Sequence, residues 1–385
     1  MRSEVPASPV RLLDLPAQHA PLQTALEAAL QRVMQAADFI QGAEVQLFAN
    51  ELGAYLGGAH VVPCANGTDA LQLALMSLGL QPGDEVIVPA FTYVASAEAV
   101  AVLGLKPVLA DVLPHTFTLD PAAAAAAITP RTRAVMVVHL YGQCADLTAL
   151  QRLCQQHSLA LIEDNAQAIG ATWQLPDGCS VAAGTVGEAG TTSFFPSKNL
   201  GAFGDGGAVL THDAGRAAQL YQLANHGQRP GQKYVHHCVG LNSRLDTLQA
   251  ALLRVKLPHL GAWTAARQQI AARYDTALGD LPRLRIPARQ AGSTHVFHQY
   301  TLTLASQTER AALQQFLKQH GVPSVVYYPT PLHLQPAYQH LGYSPGAFPV
   351  ADQLCRTVLS LPIHPAMPAA QVSYVAEVVQ AWAQG

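Results

Sequence analysis

The stretch Thr191–Thr211, TTSFFPSKNLGAFGDGGAVLT, places one lysine between a β-type run and a glycine-rich loop. Lys198 follows two phenylalanines and a proline, and four glycines lie within the nine residues after it. Because partial burial disfavours the charged ammonium, a lysine in this setting keeps a neutral amine that can attack an aldehyde. This setting favours a Schiff-base lysine. We expect no other lysine of the chain to share it. A surface lysine in a hairpin loop is the alternative.

Composition narrows the class of protein. The chain has 385 residues, a length that suits two domains or one large domain with an appendage. Its 22 basic and 25 acidic residues give a net charge of −3 without a basic block, so we expect no nucleic-acid partner. The six cysteines form no CxxC pair and the 16 histidines no HxxxH or HExxH pattern. We therefore expect no metal site and a reduced, cytoplasmic protein.

Two segments bear on targeting. The N-terminal MRSEVPASPVRLLDLPAQ has no long apolar core and carries two prolines within nine residues, which argues against a signal peptide. The most apolar long run, residues 86–105, is interrupted by Pro89 and Glu98 and is better divided into a strand and a helix. We expect neither export nor a membrane span.

The first half of the chain alternates apolar runs with helical segments, as βαβ folds do. After two helices at 21–37 and 44–56, parallel strands covered on both faces are predicted at 60–64, 85–89, 107–111, 134–138 and 159–163. Thr68 is predicted to cap the helix after the first strand. Asp120 with Pro121 is predicted to begin a polyalanine helix.

Beyond Gly207 the predicted helices are longer, and a smaller C-terminal domain is expected to follow. We predict a large domain of residues 1–260 and a small domain of residues 261–385. The predicted elements of this second half are helices at 216–225, 244–257 and 267–278, the strand-like YTLTL at 300–304, a helix at 310–320, the run 324–328, and closing helices after Phe348 and Ala369.

Candidate ligand-binding residues follow the predicted strands, at the edge where open parallel sheets collect ligands. The turn Ala65–Thr68 opens a helix and can bind a phosphate through backbone N–H groups. Phe91–Tyr93 offers a ring to stack on a flat ligand, although such aromatics are more often plain core. Asp164 either caps a loop or pairs with a pyridinium nitrogen, as pyridoxal 5′-phosphate (PLP) requires. The order of acid and then lysine, after a glycine-threonine turn, is more specific than any single element.

Five longer motifs make the chain resemble the DegT/StrS family of nucleotide-sugar aminotransferases, from about Leu13 to the C-terminus. They are CANGTDALQ (Cys64–Gln72), PAFTYVA (Pro89–Ala95), EDNAQAIGA (Glu163–Ala171), SFFPSKNLGAFGDGGA (Ser193–Ala208) and GLNSRLDTLQAA (Gly240–Ala251). The resemblance implies a type I PLP-dependent transferase fold of the α/β class. Its large domain would hold a seven-stranded, mainly parallel sheet, and a small C-terminal α/β domain would follow.

The resemblance also implies roles around the cofactor ring, carried over position by position. Lys198 would form the Schiff base, Asp164 would pair with the pyridine nitrogen, and Gln167 would contact the ring hydroxyl. Tyr93 would stack on the ring. Pyridoxamine phosphate would be the form that carries the amino group.

The cofactor phosphate would be held from two subunits. Gly67, Thr68 and Ser193 would contribute from one chain and Asn242 from its neighbour, so the resemblance implies a homodimer with shared active sites. Asn165 stands where similar sequences usually have Ala or Cys, a change that should leave the ring contacts intact.

The substrate is suggested by the stretches VPCANGTDALQ, YGQCAD, NHGQ and VGLNSRLDTLQAA. They resemble the branch that aminates C3 of UDP-linked 3-keto-N-acetylglucosaminuronic acid, with L-glutamate as donor, in making O-antigen sugars of lipopolysaccharide. Arg244 is assigned to the uronate carboxylate, since guanidinium matches a carboxylate in bidentate geometry. Its alternative role is to cap loop carbonyls at the start of a helix.

Further sugar contacts are less specific in the sequence. Tyr327 and Tyr328 stand where many relatives read HYP, so a histidine contact to the sugar is in doubt here. Arg229, Lys233 and His236 could meet the pyrophosphate or could be solvated loop residues.

Three alternatives compete with the uronate assignment. The first is another nucleotide-linked keto sugar, such as a dTDP-3- or 4-keto-6-deoxyhexose. The second is a sugar dehydratase, in which histidine replaces the lysine, so Lys198 argues against it. The third is a non-catalytic PLP-binding regulatory protein, which would need a DNA-binding module that the sequence does not show.

Overall fold

The computed structural model describes Pro6 and residues 8–385 and is built on a seven-stranded sheet. Its strands are β1 (His60–Cys64), β2 (Glu85–Pro89), β3 (Lys106–Ala110), β4 (Thr132–Val138), β5 (Ala160–Asp164), β8 (Ala189–Ser193) and β9 (Gly207–Thr211), with the hairpin β6 (Thr172–Gln174) and β7 (Ser180–Ala182) inserted before β8. The order across the sheet is β1-β9-β8-β5-β4-β2-β3.

The helices are α1 (Leu15–His19), α2 (Gln23–Ala36), α3 (Ala43–Tyr55), α4 (Gly67–Met76), α5 (Ala95–Val102), α6 (Pro121–Ala126), α7 (Leu147–His157), α8 (Ala214–Ala224), α9 (Thr247–Lys256), α10 (Leu260–Leu278), α11 (Gln307–Gln319), α12 (Pro349–Thr357) and α13 (Ala369–Gln384). Short 3₁₀ helices occur at Ala20–Leu22, Leu140–Gly142, Leu257–His259, Leu332–Leu334 and Pro336–Leu341. Among the helices of Pro6 and residues 8–385, none combines the length and the apolar character that a membrane span requires.

Strand direction brings distant turns to one edge of the sheet. The strands β8, β5, β4, β2 and β3 are parallel, and β9 is antiparallel to both of its neighbours, β1 and β8. Gly207, at the start of β9, lies opposite both Cys64 and Ser193, and Asp164 lies opposite Thr191. The turns after β1, β5 and β8 therefore meet at a single edge.

Both faces of the sheet are covered, which confirms the expectation from the apolar runs. Val86 and Val88 belong to a core shared with α4, α5 and α8, whereas Ile87 belongs to a core shared with α6 and α7. Because side chains alternate along a strand, these two cores lie on opposite faces. The fold is the expected α/β type with a mainly parallel sheet.

Helix caps match the sequence predictions in one case and differ in another. Asp120 Oδ1 accepts the N–H of Ala122, and helix α6 begins at Pro121 as predicted. The cap of α4 is Asn66 and not Thr68, because Asn66 has extended backbone angles and its Oδ1 accepts the N–H of Asp69 at 2.8 Å.

The C-terminal part contributes a second, three-stranded sheet of order β10 (Leu284–Arg285), β11 (Tyr300–Leu304) and β12 (Val358–Leu361). Its core is shared with α10, α11 and α13. The run 324–328 forms only one bridge, from Val325 to Ser360. The boundary between a large and a small domain after residue 260 stays a prediction. Helix α10 begins at Leu260, next to that boundary.

Candidate active site

A cavity of about 530 Å³ lies at the edge of the large sheet where β1, β5 and β8 end. The predicted site residues that line it are Gly67, Thr68, Tyr93, Asp164, Gln167, Ser193, Lys198, Tyr327 and Tyr328. The strand order explains this grouping, since it places the turns that carry most of these residues side by side.

One corner of the cavity is suited to a phosphate. Helix α4 begins at Gly67, and a Cβ on this residue would lie 2.7 Å from the Cβ of Ser193. Only glycine therefore lets the helix N-terminus approach β8 so closely. Gly67, Thr68 and Ser193 all line the cavity, so the first-turn N–H groups, the positive end of the helix dipole and two hydroxyls are available to an anion there.

The carboxylate of Asp164 is held at the end of β5. The hydroxyl of Ser96 donates to Oδ2 at 2.9 Å, and the N–H of Ala166 donates to Oδ1 at 3.1 Å. Asp164 is only 6% exposed and lines the cavity. A buried carboxylate that faces a cavity is chemically suited to pair with a protonated ring nitrogen.

Lys198 lies in a tight loop between β8 and β9. The backbone N–H of Lys198 donates to Phe195 O at 2.8 Å. A Cβ on Gly201 would lie 2.3 Å from Pro196 O, so the loop can be this tight only with glycine there. Burial lowers the pKa of Lys198 to about 8, although the nearby charge of Asp164 acts in the opposite direction. An amine with this pKa is partly neutral near physiological pH, as a nucleophile requires.

No other lysine of the sequence has the apolar, glycine-flanked setting of Lys198, but the fold buries a second lysine. Lys256, in the last turn of α9, is 1% exposed, and burial lowers its pKa to about 7. Its Nζ donates to Gly201 O at 2.6 Å and lies over the ring of Phe203. The packing of α9 excludes water from this amine. The sequence around Lys256 has no local pattern that predicts this burial. Lys256 does not line the cavity.

The wall opposite the strands is aromatic. Gln167 Oε1 accepts the N–H of Tyr141 at 2.7 Å, and its Nε2 donates to the hydroxyl of Tyr328 at 3.1 Å. The rings of Tyr93 and Tyr328 lie 5.9 Å apart, and Tyr327 completes this side of the cavity. Tyr93 is half-exposed, so its ring face is available to a flat ligand.

Five candidate residues do not line this cavity, and two of them, Lys233 and His236, are exposed. Asn242 and Arg229 are exposed, and Arg244 lines a separate recess of about 150 Å³. There its Nη1 donates to Asn225 Oδ1 at 3.1 Å. The helix predicted to begin at Arg244 begins instead at Thr247.

The structure adds residues that sequence reasoning did not assign, chiefly Asn66 and His298, which line the cavity, and Ser96, which supports Asp164 from behind it. Asn66 caps α4, Ser96 holds Asp164, and His298 lines the cavity from the loop before β11. Asn66 could have been found as a capping residue beside the glycine-threonine turn. Ser96 and His298 carry no local signal, because their contacts are made across the fold. Within Pro6 and residues 8–385, no group of His, Cys, Asp or Glu side chains is placed to hold a metal ion.

The family model of the DegT/DnrJ/EryC1/StrS aminotransferases matches residues 22–380. The chain belongs to this family. The helix N-terminus that Gly67 brings against β8, the buried carboxylate of Asp164 and the desolvated amine of Lys198 fit PLP, the cofactor that the family uses. This protein is therefore a PLP-dependent sugar aminotransferase.

Three relatives similar to this aminotransferase carry different names, and two of those names state a nucleotide sugar. The Pseudomonas aeruginosa UDP-2-acetamido-2-deoxy-3-oxo-D-glucuronate aminotransferase is 43% identical over 95% of this chain and 98% of its own. The Streptomyces venezuelae dTDP-3-amino-3,4,6-trideoxy-alpha-D-glucose transaminase is 43% identical over 100% and 98%. A Geobacillus stearothermophilus protein named pleiotropic regulatory protein is 44% identical over 96% and 97%.

A solved structure of similar sequence shares the fold of this aminotransferase over its whole length. It is the crystal structure of S. venezuelae DesV in complex with a ketimine intermediate. The match has a TM-score of 0.94 and 42% identity and covers 98% of this chain and 100% of that one.

Proposed function

We propose that this aminotransferase moves the amino group of L-glutamate to C3 of UDP-linked 3-keto-N-acetylglucosaminuronic acid. The observation that supports amino transfer is the shared cavity of Lys198 and Asp164, where a desolvated amine faces a buried carboxylate. The stretches that resemble the uronate branch and the 43% identity to the P. aeruginosa uronate enzyme support the sugar. Supply of amino sugars for the O-antigen of lipopolysaccharide is part of the same proposal.

The residues that line the cavity bind different parts of the cofactor. PLP, when bound, supplies the electron sink that stabilises the carbanion formed when a proton leaves the carbon bearing nitrogen. Gly67, Thr68 and Ser193 bind its phosphate, and Asp164 keeps a positive ring nitrogen paired. Gln167 contacts the ring hydroxyl through the N–H that Tyr328 does not use.

Lys198 has two tasks in this proposal. It anchors the cofactor before the amino donor arrives, and its freed amine then carries the proton between the two reacting carbons. A pKa of about 8 suits both tasks, since the amine is neutral often enough to take a proton and basic enough to hold it. Tyr93 packs on the ring and keeps water from that face.

Arg229, Asn242 and Arg244 lie outside the cavity of their own chain. In a homodimer with shared sites, they contribute to the cavity of the partner subunit. Arg229 belongs to the segment 229–239, whose residues are all exposed, and its Val239 and Tyr234 are 90% and 77% exposed. Large exposed hydrophobic side chains grouped on one segment are typical of an interface. We propose that this segment and the GLNSR segment with Asn242 and Arg244 reach the cavity of a second copy.

The sugar carboxylate is assigned to Arg244. Its Nη1 is engaged by the neutral Asn225 and by no carboxylate among the described residues, so its charge is available to a substrate. Arg229 is the candidate for the pyrophosphate, and Tyr327 and Tyr328 line the sugar side of the cavity. A dTDP-linked 3-keto sugar is the second candidate substrate, because the S. venezuelae relative is equally similar.

A substrate panel tests the proposal. Purified enzyme with L-glutamate is offered UDP- and dTDP-linked keto sugars that differ at C3, C4 and C6, and 2-oxoglutarate release is measured. We expect the highest kcat/KM for the UDP-linked 3-keto uronate. A higher value for a dTDP sugar would overturn the substrate while leaving the aminotransferase intact.

A further inference from the structure

The residue after Lys198 ties the lysine loop to the C-terminal part of the chain. Asn199 is 4% exposed; its Nδ2 donates to Val296 O at 3.2 Å, and its Oδ1 lies 3.2 Å from His298 Nδ1. A carbonyl can only accept, so the amide nitrogen must face Val296 and the amide oxygen must face His298. His298 Nδ1 therefore carries a hydrogen and donates it to Asn199.

The second ring nitrogen of His298 is consequently an acceptor. Burial, followed by the positive charges of Lys198 and Arg267, holds the pKa of His298 well below its usual range, so the ring is neutral. A neutral imidazole with hydrogen on Nδ1 has a lone pair on Nε2. His298 lines the cavity, and no described residue forms a hydrogen bond with this nitrogen.

The backbone around His298 is rigidly placed. Val296 N donates to Gly142 O at 2.8 Å, and Gln299 N donates to Tyr141 O at 3.2 Å. A Cβ on Gly142, whose φ is +107°, would lie 2.9 Å from His298 N, so only glycine allows this approach. The backbone on both sides of His298 is thus held by bonds that do not depend on a ligand, and the ring itself is held by Asn199.

We propose that His298 is a positioning residue for Lys198, whose freed amine donates one N–H to Nε2 of this imidazole. The bond leaves the proton on Lys198 and directs the rest of the amine into the cavity. This inference rests on the proton-carrying role of Lys198 in the proposed function. The charged groups around the pair are Asp164 and Asp205, which line the same cavity, and Arg267, which donates to the carbonyl of Phe297 next to His298.

Two substitutions separate the two ring nitrogens. His298→Asn keeps a donor near Nδ1 for Asn199 but has no atom at the position of Nε2. His298→Gln places an amide oxygen near Nε2 and gives up the donor to Asn199. His320→Asn, at an exposed histidine of the C-terminal part, is the matched control.

Two measurements are made on each full-length variant. The first is the pH midpoint for labelling of Lys198 by a small amine reagent in protein freed of cofactor, read by peptide mass spectrometry. The second is kcat and KM for L-glutamate in the PLP-loaded enzyme. Because a neutral acceptor stabilises the ammonium, His298→Asn should lower the labelling midpoint by about one pH unit. It should lower kcat by about tenfold with little change in KM, while His298→Gln restores both.

Other results overturn the proposal. If His298→Asn behaves as wild type and His298→Gln is impaired, the contact with Asn199 is what matters. If both variants lose activity with an unchanged midpoint, His298 is only structural. If His298→Asn does not fold, ¹⁵N NMR of histidine-labelled wild type decides, because an Nε2–H tautomer or an imidazolium at pH 7 contradicts the proposal. Failure of the proposed function itself is distinct, since Lys198→Ala would then remain active.

Discussion

The hydroxyl of Ser96 lies 2.9 Å from Oδ2 of Asp164 and donates to it, although the two residues are 68 positions apart in the chain. The backbone N–H of Ala166 binds the other carboxylate oxygen, so the plane of the carboxylate is held by two donors. Ser96 is fully buried in the first turn of α5. The helix that follows β2 thereby orients the acid at the end of β5.

Ser96→Ala should lower kcat/KM while the protein stays folded. A hydrogen bond to a charged group contributes about 1.5–3 kcal/mol, so a loss of at least tenfold is expected if that bond orients Asp164 in the reaction. The control is Ser77→Ala, a buried serine whose hydroxyl bonds Ala74 O outside the cavity. Wild-type kinetics for Ser96→Ala would show that Ala166 alone orients the acid.

Lys198 should be the residue that carries the cofactor. The purified enzyme should be yellow, and borohydride reduction followed by peptide mapping should place the pyridoxyl group on Lys198. Lys198→Ala should abolish turnover without unfolding. The informative competitor is Lys256, which is also desolvated but points its Nζ to Gly201 O. Label on Lys256 would refute the assignment.

Shared active sites predict complementation. Lys198→Ala and Asn242→Ala protomers should each be nearly inactive, because each removes a different contribution to every site. In a randomly remixed population half of the dimers are mixed, and each holds one intact site, so about a quarter of wild-type activity should return. A fully active monomer in sedimentation would rule out the shared site.

Arg244→Met should alter substrate choice. Loss of a bidentate partner for a carboxylate costs roughly 1.5–3 kcal/mol, which is about 10- to 150-fold in kcat/KM on the uronate. Activity on an analogue with a 6-hydroxyl should change little. The matched control is Arg152→Met, at an exposed arginine of α7. Equal losses on both sugars would make Arg244 structural and end the uronate assignment.

The buried amine of Lys256 should make stability depend on pH. Because its pKa falls from 10.5 to about 7 on folding, the unfolded chain binds more protons at this group between those values. The free energy of unfolding therefore rises with pH across that window, by up to ~1.4 kcal/mol per pH unit.

Lys256→Met should remove that contribution. Denaturant unfolding of the variant and the wild type at pH 7 to 10 should give slopes that differ in this direction. The exposed Lys318→Met is the control and should leave the slope unchanged. A slope that is the same in wild type and Lys256→Met would mean that Lys256 is not desolvated in solution.

The local features of this fold could be predicted from the sequence. The strands β1 and β2 have the predicted bounds, and the others are within two residues of them, because apolar runs and turn residues are local signals. The chemistry of Lys198 was also visible, since its phenylalanines and glycines are its chain neighbours.

Only the tertiary structure decided which side chains meet. Ser96 reaches Asp164 because only β4 separates β2 from β5 in the sheet, and Asn199 reaches His298 because the loop before β11 packs on the turn after β4. Lys256 is shielded from water because α9 packs its side chain against Gly201 and Phe203 in the loop between β8 and β9. Residue patterns report periodicity and turn chemistry within a few positions, whereas strand order, register and packing set the distances between residues far apart in the chain.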